Sequence, residues 1–343
     1  MSSNSDNSKT IKMKDVAKLA NVSPSTVSRV LSNSPFVKDE TKNRVLQAIE
    51  ILKYRPNRLG RNLRKLASKM IMVVFPDITN PFFANIIQGV EDIARQKGYY
   101  VLLGDTRNDI NIEKEFLELG KEKLVDGILL ATARVPKEDI LNASLHVPLV
   151  LACEYIKENN ISTVSIDNIK AAFAGTKHLI DLGHRRIAFI NGPKKIILSQ
   201  DRLEGFIKAC KEHKIPINNG FIINGDFSIE SGYQIMNNLL EMNKKPTAVF
   251  SANDQMAVGA IKAIKDKGLK VPDHIAIVGF DDIPLSTVIE PQLTTISQPK
   301  YEIGKQAMQL LIEKIEEKNY KNKQIILPHN LIIRKSCGFA NFY

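Results

Sequence analysis

From residue 70 onward, short solidly apolar runs alternate with longer stretches whose apolar positions recur every three or four residues. The runs Ile71–Phe75, Tyr100–Leu103, Gly127–Ala131, Leu149–Leu151, Arg186–Ile190, Ala248–Phe250 and Ile275–Gly279 read as strands. Between them, Phe82–Lys97, Ile112–Lys123, Ala171–Leu182, Arg202–His213, Ile229–Leu240 and Gln255–Lys267 read as helices. Continuous apolar strands separated by helices predict parallel sheets covered on both faces. There are enough elements for two sheets. Ligands of open parallel sheets bind beyond the strand C-termini, so two facing lobes predict a cleft.

The N-terminal part reads differently. Val16, Ala17 and Ala20 give a two-turn helix a small apolar face, and Asn21-Val22 follows as a corner. Ser23 has the form of an N-cap with Pro24 at the first helical position. Val27, Val30 and Leu31 face inward from that second helix. A third helix is predicted from about Lys38 to Tyr54, with Val45, Leu46, Ile49 and Leu52 on its buried side. A small residue, a corner and a branched wedge suit two tightly crossed helices. In a helix-turn-helix the second helix enters the major groove with its N-terminal residues on base edges. Pro24, Ser25 and Arg29 stand at that edge, with Thr26 and Ser28 suited to phosphates and the cap Ser23 included in the DNA-binding face. Arg29 is open to two roles, bidentate guanine readout or a phosphate or surface ion pair. Residues 57–64 form a short basic helix candidate that Asn57 caps. Its length and Gly60 make it a poor helix in isolation, ordered only on a partner.

Charge sharpens this division. The formal net charge is +11. The first 69 residues hold 15 basic and 5 acidic residues, against 33 and 32 in the remainder. Excess charge confined to one end reads either as a solvated basic tail or as a nucleic-acid footprint. Cys153, Cys210 and Cys337 have neither metal nor redox spacing, which predicts buried thiols in a reducing compartment. The polar N-terminus has no signal-peptide core and no apolar run reaches about 20 residues, so a cytoplasmic protein without a membrane span is expected. P-loop, nucleophile-elbow, dinucleotide and zinc-protease motifs are absent from the sequence, which argues against an enzyme. No cofactor or metal site is expected.

The stretch from Lys14 to Leu31, KDVAKLANVSPSTVSRVL, resembles the headpiece of the LacI/GalR family of transcription regulators, and Tyr54-Arg55-Pro56-Asn57 resembles that headpiece's end. Family headpieces usually have Gly where Asn21 stands. The likeness runs from Ile11 to Gly338 and includes residues 76–83 (PDITNPFF), 165–168 (SIDN), 182–190 (LGHRRIAFI), 202–206 (RLEGF), 251–254 (SAND) and 279–282 (GFDD). The resemblance implies an α/β fold with a three-helix helix-turn-helix headpiece (1–56), a hinge helix and linker (57–69), and two Rossmann-like parallel-sheet lobes of periplasmic-binding-protein type (70–343). The lobes are expected at 70–165 plus 297–322 and at 166–296 plus 323–343. It implies hinge contacts to DNA from Asn57, Arg58 and Arg61, with Leu63 wedged between base pairs in the minor groove. It implies an effector cleft lined by Asn80, Phe82 and Phe83 from the first lobe and by Asp167, Arg202, Phe227, Asn253 and Asp281 from the second. Such a set suits a polyol. The implied partners are a double-stranded DNA operator, a small-molecule effector of the sugar or sugar-derivative class, and a second copy of the chain. Ile196 and Leu198 stand where relatives with charged effectors place polar groups, which favours a neutral effector. The rival readings are a solute receptor without a DNA role and a corepressor-dependent global regulator.

Overall fold

In the computed structural model, residues 11–32, 34–54, 68–157, 160–317 and 319–338 are described. The expected hinge residues Asn57, Arg58, Arg61 and Leu63 lie outside them. The chain divides into two units, Met1–Ala67 and Ser68–Tyr343.

The first unit carries α1 (Met13–Leu19), α2 (Pro24–Leu31) and α3 (Asp39–Ile51). Val16, Ala17, Ala20, Val27, Val30, Val45, Ala48 and Tyr54 pack into one small core. The α1–α2 corner needs a left-handed residue, and Asn21 supplies it at φ 51°. Ser23 caps α2 by accepting from Thr26 N–H at 3.1 Å. The third helix is shorter than the sequence predicts, because Lys53 turns left-handed at φ 48°. Leu46 is exposed, not core: Val45 and Ala48, three apart, share the buried side and leave position 46 facing out.

The second unit contains two six-stranded sheets. The first is built from β1 (Met70–Phe75), β2 (Tyr100–Asp105), β3 (Gly127–Leu130), β4 (Leu149–Ala152), β5 (Ser162–Ile166) and β11 (Gln324–Leu327), in the order β11-β5-β4-β3-β1-β2. The second uses β6 (Ile187–Asn191), β7 (Ile222–Asn224), β8 (Ala248–Ser251), β9 (Ala276–Asp281), β10 (Thr294–Ser297) and β12 (Asn330–Ile332), ordered β12-β10-β9-β8-β6-β7. All pairings are parallel except β10 with β12. The helices are α4 (Phe82–Gln96), α5 (Ile110–Lys121), α6 (Lys137–His146), α7 (Asn168–Asp181), α8 (Ile197–Glu212), α9 (Ile229–Glu241), α10 (Asp254–Asp266), α11 (Leu285–Val288) and α12 (Lys300–Glu316).

The chain passes between sheets after β5, after β10 and between β11 and β12. The last crossing falls at 328–329. Residues 324–327 therefore belong with the first sheet, where Ile325 lies opposite Val164, and not with the second lobe as the sequence reading divides them. The error has a physical cause: β11 and β12 are separated by two residues and are only four and three residues long. In each sheet the order reverses beside the second strand from one edge, between β1 and β3 and between β6 and β8. Crevices form at such switch points, outside the strand C-termini.

Helices α4 and α12 cover the first sheet in close backbone contact. A Cβ at Gly304 would stand 2.0 Å from the Ile86 carbonyl oxygen, and one at Gly89 would stand 2.2 Å from that of Tyr301. Gly304→Ala must therefore force the helices apart. It is expected to cost roughly 1–3 kcal/mol, read as a lower denaturant midpoint at unchanged slope; a variant as stable as the parent would contradict this packing.

Candidate functional site

In the first unit, Pro24, Ser25 and Arg29 are exposed on α2, with Ser25 and Arg29 one turn apart. The Ser23 hydroxyl lies 2.6 Å from that of Ser25 and 2.9 Å from that of Thr26, so the start of α2 is a fixed cluster of hydroxyls. Ser28 is half-buried. Ser23, Thr26 and Arg29 share one concavity with Lys38, Thr41 and Arg44. The last three were missed in the sequence. Their signal was the basic and hydroxyl residues crowded at the start of α3. Exposed cations and hydroxyls around a helix N-terminus form a surface suited to phosphates and base edges.

In the second unit, Arg202 is the centre of the second-lobe wall. It is 3% exposed. Its Nε donates to Asn168 Oδ1 (3.0 Å), its Nη1 donates to the Ala252 carbonyl (2.6 Å), and its Nη2 lies 3.9 Å from Asp281 Oδ1. The guanidinium also stacks on the Phe280 ring, 3.7 Å from the centroid. Burial pushes the Asp281 carboxyl up to about 6, against the pull of Arg202, Lys300 and the Gln298 amide. Gln298 Nε2 donates to its Oδ1 at 2.7 Å. Lys300, at the start of α12, donates to the carbonyls of Asp281 (2.6 Å) and Asp282 (2.9 Å). These bonds hold a corner in which both aspartates have positive φ, 112° and 54°.

Further non-glycine residues after the strand ends are left-handed, among them Cys153 at φ 66° and Phe227 at φ 74°. Such conformations persist only where surroundings over-determine them, and they concentrate at ligand sites. Asn253 explains Phe227: its Nδ2 donates to the Phe227 carbonyl (2.9 Å) while its Oδ1 caps α10 by accepting from Met256 N–H (3.0 Å). The Asn253 side chain thus positions Phe227 from behind.

The first-lobe residues form their own group. Asn80 Oδ1 accepts from Phe82 N–H at 3.0 Å and sets the start of α4. Phe82 and Phe83 pack edge to face at 5.1 Å, and Phe83 is equally close to Phe75, which ties it to the lobe core. Asp167 caps α7 through Lys170 N–H (2.9 Å) and pairs with the Lys170 ammonium at 3.0 Å; those bonds, opposed by partial burial, hold its carboxyl below the usual range.

Several buried or bridging polar residues carry no signal in the sequence. Glu154 is buried after β4 and accepts from Ala133 N–H at 2.7 Å, and burial raises its carboxyl. Glu113 is fully buried and accepts from Thr132 Oγ1 (3.1 Å) and Arg134 N–H (3.1 Å). Tyr155 Oη donates to Asp201 Oδ2 at 2.8 Å, a bond from a first-lobe loop to a second-lobe helix. These groups carry no local signature, because burial of a charge is a tertiary property.

Comparison with known proteins agrees with this geometry. Residues 12–57 match the family described as bacterial regulatory proteins, lacI family, and residues 176–337 match the periplasmic binding protein-like domain. The HTH-type transcriptional repressor CytR of Escherichia coli K12 is 41% identical over 325 residues, covering 94% of this chain and 95% of CytR. A lac repressor dimer bound to operator and the anti-inducer ONPF superimposes with TM-score 0.84 at 30% identity, covering 96% of this chain and 99% of the repressor. A complex of the transcriptional regulator CelR with cellobiose gives 0.73 at 30% identity, covering 95% and 99%. This chain belongs to the lacI family of bacterial regulatory proteins.

Proposed function

We propose that this chain is a cytoplasmic, homodimeric repressor, without enzymatic activity, that binds a pseudo-palindromic operator and is controlled by a neutral sugar or sugar derivative between its two lobes. Ser23, Pro24, Ser25, Thr26, Ser28 and Arg29 would read or hold the half-site, with Asn57, Arg58, Arg61 and Leu63 acting at the operator centre. Residues 1–56 would serve as headpiece, 57–69 as hinge, and the remainder as sensor and dimerisation domain. The relatives named above support the reading: one is a repressor, one is a dimer on its operator, and one holds cellobiose. The observation that carries the sensor assignment is the Arg202–Asp281 corner, where a buried ion pair and two left-handed aspartates stand at a strand end.

In this reading Asp281 accepts an effector hydroxyl, Phe82 and Phe227 cover apolar ring faces, and Asn80 and Arg202 shape the walls. Effector binding changes the angle between lobes and so the separation of the two hinges. Linkage requires that DNA and effector alter each other's affinity by the same factor, typically 1–3 kcal/mol in free energy, roughly 5–150-fold. A gel shift with the operator at fixed salt, with and without cellobiose, tests the coupling; any effector that is bound but leaves operator affinity unchanged contradicts it.

The Asp281 shift gives a pH dependence. A donated hydroxyl favours the carboxylate, so binding expels a proton wherever the free group is protonated. Effector affinity is expected to rise between about pH 5 and pH 7 and then level off. Arg202, Lys300, Asp254 and Cys153 face this group and share its field. Asp281→Asn should flatten the profile in calorimetric titrations, and a profile that is flat in the parent refutes the role. For stability without effector the sign is reversed. The raised carboxyl contributes most below its unfolded value of 3.8, and that contribution is lost as pH rises through about 6.

A further inference from the structure

The loop after β6 lies at the second lobe's switch point and leads into α8. Ser199 sits in the first turn of α8. It is fully buried, and its hydroxyl has no hydrogen-bond partner. Native proteins rarely leave a buried hydroxyl unpaired, because its desolvation goes uncompensated. The residue capping α8 is Ile196, whose side chain offers no acceptor to the first-turn amides. An unpaired donor and an uncapped helix start therefore meet at one place.

That place is closed by Phe227. A Cβ built on Gly192 would lie 2.1 Å from Phe227 Cζ and 2.6 Å from Ser199 Oγ. The Phe227 ring and the Ser199 hydroxyl thus adjoin the same small volume, which exists only because residue 192 has no side chain. Phe227 is half-buried, and its backbone is pinned left-handed by Asn253. With the backbone fixed, any movement of the ring is a rotation about its own side-chain bonds.

We propose that Ser199 is an effector contact in a subsite that the Phe227 ring covers in the ligand-free protein. The inference deepens the sensor reading above and rests on it. The ring swings aside, the apolar face of the effector ring packs on it, and Ser199 Oγ donates to an edge oxygen of the effector. The oxygen is a neutral hydroxyl or ring oxygen. The cap Ile196 and the first-turn neighbours Ile197 and Leu198 offer it no cation, which favours a neutral group over a phosphate.

The test is Ser199→Ala in the full chain, with two readouts. Without ligand, removing the unpaired hydroxyl is expected to raise the melting temperature by roughly 2 °C. With ligand, D-ribose and cellobiose titrated by calorimetry should bind the variant about five- to tenfold more weakly than the parent. A residue with a merely structural role would lower both quantities, so opposite signs identify the contact. A lower melting temperature overturns the proposal whatever the sugars do, and so does equal sugar affinity in the two proteins. A parent chain that binds neither sugar contradicts the neutral-sugar reading and overturns the Ser199 contact with it, whereas equal affinity in parent and variant overturns the contact alone.

Discussion

Arg202→Ala is expected to abolish effector binding and to destabilise the two-lobed unit by about 3–5 kcal/mol, the usual cost of removing one partner from a buried ion pair. The substitution removes the cation beside Asp281, strips the donors from Asn168 Oδ1 and the Ala252 carbonyl, and empties the face of Phe280. Each acceptor is buried, and water cannot replace the guanidinium without opening the wall. Arg202→Lys should recover part of the stability and little of the binding, because an ammonium cannot span three acceptors in a plane. Denaturant unfolding and calorimetric titration of both variants check this. An Arg202→Ala protein within about 1 kcal/mol of its parent would show that the cluster does not organise the cleft.

The second large effect concerns the DNA face. Arg29→Ala should lower discrimination at one half-site position by about 1–3 kcal/mol while leaving stability nearly unchanged, since the side chain is exposed. Lys38→Ala, in the same concavity, should instead weaken all duplexes alike and flatten the salt dependence by about one unit. The two are separated by measuring affinities for a set of half-site variants at several salt concentrations. If Arg29→Ala weakens every variant equally, Arg29 is a phosphate contact.

The long periodic elements were legible in the sequence because their pattern is local. Helix α9 starts at Ile229 in both readings, and the Ser23-Pro24 start of α2 is visible as cap chemistry. The sequence pattern starts helix α8 five residues late, at Arg202, so Ser199 falls in a loop and its burial is not visible. The helix start lacks a capping side chain, so nothing local marks it. Strands β7, β11 and β12 escaped because three- and four-residue edge strands are only partly buried and carry little pattern, and β5 (STVSI) and β10 (TTIS) escaped because their Ser and Thr residues, although mostly buried, break the apolar run. At the cleft, the chemistry of Arg202 and Asp281 was legible through resemblance. The left-handed corners were not, because Cys153 and Phe227 are residue types that rarely adopt positive φ, and Asp281 and Asp282, though aspartate tolerates it better, sit in an apolar strand end that reads as extended. Nor did the sequence show that Asn253 is occupied as a cap, or that Lys300 crosses from one lobe to brace the other's aspartate corner.

The most direct test of a groove-reading module governed by a sugar cleft is selection of duplexes from a randomised pool by the purified full chain, repeated with cellobiose and D-ribose present. Enrichment of a two-fold symmetric sequence is expected, with a shift in its recovery in the presence of any sugar that binds. Recovery of unenriched random duplexes under every condition would contradict such a module.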